Sequence, residues 1–527
     1  MISTFHGLET MRRALSTQQA ALYTTGHNIA NANTPGYSRQ RVNFTQTEAF
    51  PNPAFNKPGI PGQLGTGVKA GEIQRIRDSF LDLQFRGENS KLGYWSTKYA
   101  ALERMEDVMN ELDNGNAKVI NEFWQALEDV SANPEDAGAR AVLQQRGVAI
   151  AEAFNHTYES IETIQRDYRD QIGVENSQVN SLLNQINELN KQIASVEVHG
   201  LLPNDLYDKR DLLVDELSNF MNIEVERVPS GGNAKEMAEG RYTIHLLDNN
   251  GQRLNDIVLL DGSTFEYNQV SVTDADGDQL DGPVTEILIG GTAIAFEDFN
   301  SNGSLKAMIE AYGYMEGGEV KGIYNEMMQH LDTMISVFVE EFNNVHSSGW
   351  SLSEIEAGEK ANGGAGYNFF EFADAHGGGV QGSAKYLKVS EAVLSSTDNI
   401  AAAREVLDEN GDPTAYAGDG SNALNLADVK DTQLNYGGQT ASLDSFYQGV
   451  IGRMAVGVSE ASNMTKNFQS LANSINERRQ AVSSVSLDEE LANMIQFQHA
   501  YNAAARNLTA VDEMLDTIIN GMGRVGR

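Results

Sequence analysis

Gly377-Gly378-Gly379-Val380-Gln381-Gly382 satisfies the spacing G-x-G-x-x-G. In a dinucleotide site that spacing lets backbone amides approach a pyrophosphate at a helix N-terminus. The chemistry needs a buried strand before the loop and a helix after it. Here residues 371–376 precede it and the strand-like run 385–389 follows, so a flexible loop is expected. Asp274, Asp276 and Asp278 have the spacing that opens a calcium loop. Gln279 stands where the turn needs glycine, however, and Thr285 where a bidentate glutamate should close the shell, so a solvated acidic turn is expected. The nine histidines include no H-E-x-x-H pair and no G-x-S-x-G elbow exists. There are no cysteines, which excludes disulfides and thiol catalysis and disfavours a structural zinc site. His346 is isolated near a helix end and reads as a capping or packing residue. No catalytic, metal or cofactor site is expected.

Composition narrows the classes further. The chain carries 38 Lys+Arg against 74 Asp+Glu, a formal charge of −36. Nucleic-acid affinity comes mainly from neutralising phosphates, so no nucleic-acid partner is expected. The excess of acid also argues against anionic membrane surfaces and suits a chain that stays soluble before assembling. No run of 18 apolar residues exists, so no membrane insertion is expected. The N-terminus carries polar residues at every turn, unlike a cleavable signal peptide.

The elements that remain are mostly helices, and the most informative lie at the two ends. Leu8, Leu15, Leu22 and Ile29 recur every seven residues, and Met11, Gln18 and Thr25 follow the first three by three places. Lines three and four apart make one stripe of helix–helix contact. The stripe is thin and cannot offset its own ordering entropy, so this helix needs a partner. Near the C-terminus, Ser486 and Glu489 form a capping box. Leu487, Leu491, Met494, Gln498, Tyr501, Ala505 and Leu508 then alternate by four and three. After a slip, Val511, Leu515 and Ile518 continue the line until Gly521 and Gly523 stop it. The two ends are therefore expected to meet. The expected assembly interface is Leu8, Met11, Leu15, Leu22, Ile29, Leu487, Leu491, Met494, Tyr501, Leu508, Leu515 and Ile518.

Between them, residues 42–64 contain Pro51, Pro53, Pro58 and Pro61 and read as a connector. The longest periodic signal runs through positions 154, 158, 161, 165, 168, 172, 175, 179, 182, 186, 189, 193 and 196, broken only by Gln165 and Glu175. A helix from about residue 137 to 198 would approach 90 Å at about 1.5 Å per residue. Another helix carries Leu206, Leu213, Leu217 and Phe220. The period then changes to two, with an Asn250-Gly251 hairpin turn. The expected fold is mainly α: a long coiled-coil-like helical bundle built from both ends of the chain, with β-rich inserted domains. The boundaries are 1–37 plus 486–527 for the terminal helices and 38–225, 300–349 and 441–485 for a helical rod. A β-rich insert spans 226–299 and an irregular one 350–440.

Several stretches also resemble one family. Residues 28–37, N-I-A-N-A-N-T-P-G-Y, resemble the signature of the bacterial flagellar rod, hook and hook-associated axial proteins, and Ser38-Arg39-Gln40 resembles the hook-associated branch. Residues 65–86, G-x-G-V-x4-I-x-R-x2-D-x-F-L-x2-Q-x-R, are similar to the same family, as are 204–218, F-N-x-x-H-x-x-G at 342–349, 490–501 and 512–516. The inserts carry no such match. The resemblance implies a structural subunit, not an enzyme, at the hook–filament junction, self-assembled as a ring between the flagellar hook protein and hook-associated protein 3. It implies export through the flagellum's own channel without a cleaved signal, with a flagellar export chaperone on the C-terminal helix. The terminal helices would line the tube, staying disordered until docking, and the β-rich insert would point outward. Another axial subunit, a hook or rod protein, is the nearest alternative. A coiled-coil surface adhesin or a lytic enzyme lies further off.

Overall fold

A computed structural model describes residues 4–51, 55, 62–109, 115–275, 277, 280–407 and 412–521. The chain opens with helix α1 (Thr4–Ala30) and a hairpin, β1 (Gln40–Gln46) and β2 (Val68–Arg75). Helices α2 (Ser79–Val108), α3 (Asn116–Ala132), α4 (Ala137–Glu197) and α5 (Asn204–Phe220) follow. Next come strands β3 (Ile223–Val228), β4 (Arg241–Leu247), β5 (Arg253–Asp261) and β6 (Glu266–Tyr267), then β7 (Val270–Thr273), β8 (Glu286–Ile289) and β9 (Thr292–Ala295). Helix α6 (Ser304–Tyr312), the hairpin β10 (Tyr314–Glu316) and β11 (Glu319–Lys321), and α7 (Ile323–Ser348) lead into a stretch of short pieces. These include α8 (Leu352–Ala357), α9 (Ala361–Gly364), the pair β12 (Phe370–Phe372) and β13 (Leu387–Val389), α10 (Glu391–Ser395) and α11 (Ser421–Asp428). Two long helices, α12 (Leu443–Ser483) and α13 (Leu487–Gly521), complete the chain. The expected prolines Pro53, Pro58 and Pro61, and Asp276, Asp278, Gln279 and Gly523, lie outside the described residues.

Two compact units share these elements. The first comprises Met1–Leu92, Gln178–Gln269 and Phe468–Arg527; the second comprises Gly93–Ser177 and Val270–Asn467.

In the first unit, β3–β4–β5–β6 form an antiparallel sheet. Strand β4 is buried along nearly its whole length, as a central strand covered on both faces should be. Its Tyr242, Ile244 and Leu246 are buried, as are Leu182, Ile186 and Ile193 of α4 and Val214 and Leu217 of α5. Asn190 of α4 donates to the Tyr242 carbonyl at 2.9 Å, fixing the helix against the strand. The β1–β2 hairpin bulges between Asn43 and Phe44, with Gly71 the extra residue.

The second unit is built on an aromatic cluster. Phe123 and Trp124 of α3 meet Phe338 and Phe342 of α7, Phe370 of β12 and the adjacent Phe369, with ring centroids 4.8 to 6.3 Å apart. Gly147 of α4 lies beneath Phe369, where a methyl group would stand 2.7 Å from the ring. The long seam of α4 is buried as its period requires, and its two polar interruptions have a common purpose. Gln165 donates to the Tyr312 carbonyl at the end of α6 at 2.7 Å. Glu175 lies beside Ser304 at the start of α6, its Oε2 buried without a hydrogen-bond partner. Gln165 is bonded to one end of this short helix, and Glu175 faces the other.

The strand-rich stretch expected as one insert at 226–299 begins earlier, at Ile223, and is divided. Strands β3–β6 belong to the first unit and the β7–β8–β9 sheet to the second. The reason is where each buries its apolar face. Strand β4 closes on α4, whereas Val284, leading into β8, bridges to Tyr314 of β10 beside α6 and α7.

Candidate assembly interface

Helices α1 and α13 lie against each other in the first unit, antiparallel. Gly7 sits against Val511, where an added methyl would be 3.6 Å from its Cγ2, and Asn28 bonds Glu490 at 3.1 Å. The two contacts are 21 residues apart on both helices, three heptads of matched advance. The pair is formed within one chain. The expectation that each terminal helix lacks a partner until docking therefore does not describe this conformation.

The covered line of α13 runs through Glu490, Met494, Phe497, Tyr501, Ala504, Leu508, Val511 and Leu515, each at least half-buried. It alternates four and three without a slip. The slip expected after Leu508 came from starting the line at Leu487 and Leu491, because a glutamate is not expected in a seam. Of the proposed interface residues, Met494, Tyr501, Leu508 and Leu515 stand on the covered line, and Leu8, Met11, Leu15, Leu22 and Ile29 of α1 are half-buried. Leu487, Leu491 and Ile518 are 49%, 49% and 41% exposed in the single chain.

Thr25 of the expected stripe is fully buried, but the other fully buried residues of α1, Thr17, Ala21, Thr24 and Asn28, again at four, three and four, form a different face. These small and polar residues let backbone approach closely. Thr17 Oγ1 reaches the Val68 carbonyl of β2 at 3.3 Å. His6 Nε2 and Arg13 reach the carbonyls of Gly65 and Thr66 at 3.2 and 3.3 Å. Gly67 has φ +111° and lies against Thr10, a close approach that suits only glycine.

Where the pair meets the hairpin, a hydrogen-bonded clasp closes it. Asn28 Nδ2 donates to the Gln40 carbonyl at 2.8 Å and to Glu490 Oε2. Its Oδ1 accepts from the Gln40 amide at 3.0 Å and the Tyr37 hydroxyl at 2.8 Å. Arg39 donates Nε to Glu490 Oε1 and Nη1 to Glu489 Oε2, both at 2.7 Å. Glu489, expected to complete a capping box with Ser486, is turned to Arg39 instead. The Arg39 amide donates to the Ser483 carbonyl at 2.8 Å, and the Ser38 amide to Asp208 at 3.0 Å. Burial, with Asp205, Asp208 and Glu490 nearby, holds the Tyr37 hydroxyl well above its ordinary pKa, so it stays a donor. In the sequence the run 28–40 carries a family resemblance and no sign of a distant partner. Its hydrogen-bonding role with Glu490 was missed, because no local signal pairs residues so far apart.

The chemistry-bearing spacings resolve as structure. The Gly377–Gly382 loop lies between β12 and β13, which pair antiparallel, and Gly382 and Ala384 donate their amides to Asp332 at 2.8 and 2.9 Å. Ser383 Oγ is 3.3 Å from His376 Nε2, but Ser383 is fully buried and Asp332 is engaged with backbone, so no nucleophile is presented. Asp274 accepts the amides of Gly277, Asp281 and Gly282, a turn-capping role. His346 is fully buried, with Nε2 accepting the Ala401 amide at 3.0 Å and Nδ1 donating to the Tyr367 carbonyl at 2.7 Å. Among the described residues no group of three or more His, Asp or Glu is placed to hold a metal ion, and no helix is long and apolar enough to cross a membrane.

The whole chain is 44% identical to flagellar hook-associated protein 1 of Bacillus subtilis, with both sequences covered end to end. The chain belongs to the flagellar hook-associated protein 1 family. It is 23% identical to the Escherichia coli member over 96% of this chain and 98% of that one. Family models match in three places: the flagellar hook-associated protein FlgK helical domain at 102–370, the flagella basal body rod protein at 8–37, and the flagellar basal body rod FlgEFG protein C-terminal at 479–521. The last two fall on α1 and α13. The flagellar hook junction protein FlgK from Burkholderia pseudomallei shares the fold, with a TM-score of 0.59 at 15% identity over 77% of this chain and all of that one. As a member of the hook-associated protein 1 family, the chain is a structural component of the bacterial flagellum that assembles with other axial components.

Proposed function

We propose that this chain builds the hook–filament junction by axial self-assembly through its paired terminal helices, as a ring of subunits between the flagellar hook protein and hook-associated protein 3. It leaves the cell through the flagellar export channel without a cleaved signal, escorted by an export chaperone on the C-terminal helix, and it catalyses no reaction. One observation carries the reading. With α1 covering one side of α13, Leu487, Leu491 and Ile495 still form an exposed apolar line at four-residue spacing, and Ile518 and Ile519 extend the exposure at the far end. Covering the exposed half of one such leucine contributes about 1 kcal/mol, so neighbouring subunits gain by covering the line. Leu8, Met11, Leu15, Leu22, Ile29, Met494, Tyr501, Leu508 and Leu515 shape the pair that presents it.

The test separates the two roles. Leu491→Asp should leave the monomer's melting unchanged and abolish incorporation into the flagellum. Leu15→Asp and Tyr501→Asp should also block assembly, leaving the second unit's melting unchanged. Normal assembly of Leu491→Asp would sink the proposal. Hydrogen exchange on the monomer reads the state of the pair. Fast exchange at 4–30 and 487–521 with protection at 154–196 means ordering on docking; protection throughout means a preformed pair.

A further inference from the structure

The first unit contains a second feature that the assembly reading does not use: a buried cluster of five arginines and five carboxylates. Arg75 bonds Asp208 at 2.8 Å, Asp211 at 2.6 Å and Glu239 at 2.5 Å. Arg77 bonds Asp82 at 2.7 Å and lies 3.4 Å from Asp211. Arg86 bonds Asp215 at 2.7 Å and Asp211 at 3.3 Å. Arg210 lies over the Tyr242 ring, 3.3 Å from its centroid, and 3.5 Å from Glu239. Arg479 of α12 bonds Asp215 at 2.5 Å and Asp82 at 2.9 Å, with its guanidinium over the Phe85 ring. None of these ten side chains is more than 14% exposed.

The charges are unevenly distributed along the sequence. Arg75, Arg77, Asp82 and Arg86, from the N-terminal segment, carry two net positive charges. Asp208, Arg210, Asp211, Asp215 and Glu239, from the middle segment, carry three net negative charges. Arg479 supplies the last positive charge. A buried charge without compensation is costly, and the cost falls on whichever state leaves it unpaired. Burial would push Asp211 up, but Arg75, Arg77, Arg86 and Arg210 hold it well below the ordinary carboxylate range, as the charged form of the cluster requires.

We infer that Arg479 is the charge that completes the first unit's core, so that this unit closes only when the C-terminal segment docks. A binding partner that holds residues near 479 away from the unit would leave the middle segment's acids in excess and keep α2 and α5 from packing. Closure of the unit and placement of the two long C-terminal helices become one event. The inference is independent of what the assembled chain does.

The experiment uses the full chain and hydrogen exchange, with the aromatic-cluster helices of the second unit as internal reference. Arg479→Met should speed exchange at 79–92 and 204–220 by at least tenfold, leaving 116–132 and 323–348 unchanged. Arg479→Lys, which keeps the charge, should restore much of the protection. The double variant Arg479→Met with Asp215→Asn, again charge-balanced, should be better protected than Arg479→Met alone. Unchanged exchange in Arg479→Met would overturn the inference. So would a double variant no better than the single one, because that would make Arg479 a packing residue. If Arg479→Met loses protection everywhere, the comparison with the double variant still decides.

Discussion

Asn28 and Glu490, 462 positions apart, share a hydrogen bond of 3.1 Å with both side chains buried. Glu490 is held from the other side by Arg39 at 2.7 Å, so one carboxylate joins the N-terminal helix, the hairpin and the C-terminal helix. Removing it leaves one Asn28 amide hydrogen and the Arg39 Nε without an acceptor, although Gln40 and Glu489 still hold the other donors. Glu490→Ala should therefore cost about 2–3 kcal/mol, below the range for a fully buried pair because Arg39 is partly solvated. Glu489→Ala, whose side chain is 62% exposed in its bond to Arg39, should cost under about 1 kcal/mol. Urea unfolding followed by exchange in α1 checks this, and equal costs for the two variants would count against the clasp.

Glu175 makes the second unit weaker as pH rises. Burial raises its carboxyl to about 7, with the Ser304 hydroxyl offsetting part of the effect. A raised carboxyl holds its proton in the folded state where the unfolded state has lost it, so the contribution is full below about 4.5 and lost as pH rises through about 7. The shift corresponds to about 3 kcal/mol. Glu175→Gln should remove this slope and stabilise the second unit at pH 8. A melting curve at pH 8 no higher than wild type would contradict it.

His346 acts in the opposite direction. Burial lowers its pKa from 6.5 to about 4, with the bond to the Tyr367 carbonyl opposing the shift. The ring must stay neutral to accept the Ala401 amide. The unfolded state binds a proton first, so stability falls as pH drops from about 6.5 towards 4, by about 3 kcal/mol. His346→Gln should be less stable at pH 7 but should lose that acid slope. Between about pH 4.5 and 6.5 the Glu175 and His346 slopes oppose each other, so each is best seen in the variant lacking the other.

Gly147 and Gly173 of α4 should respond to alanine with opposite signs. Alanine gains about 1 kcal/mol over glycine in a helix interior. At Gly173 nothing lies within 4 Å of the new methyl, so Gly173→Ala should stabilise. At Gly147 the methyl meets Phe369 at 2.7 Å and Val389 at 3.2 Å. Phe369 is fully buried and cannot yield, and overpacking costs about 1–3 kcal/mol. Gly147→Ala should lower the melting temperature of the second unit; an increase there would mean the ring moves.

What periodicity could reveal, it revealed: the long helix α4, the meeting of the two ends and the Asn250-Gly251 hairpin are local patterns of apolar spacing. The true register of α13 was hidden because its first covered residue is Glu490, a charge that makes sense only opposite Arg39 and Asn28. The buried face of α1 was hidden likewise, since Thr17, Ala21, Thr24 and Asn28 are not apolar enough to register as a stripe. Asp208, Asp211 and Asp215 do share one helical face at three- and four-residue spacing. That acidic line looks solvated until the arginines from elsewhere in the chain are placed upon it. Long-range polar pairing has no period to read.

Gln165 bonds one end of α6 and Glu175 faces the other, which makes α4 a gauge. The ten steps from Gln165 to Glu175 advance about 15 Å and the eight from Ser304 to Tyr312 about 12 Å, so the distance between the two contacts limits how long α6 can be. A one-turn insertion in α6 would overshoot one contact or bow the helix, and a deletion would fall short. This short helix is cut to a length that another helix measures.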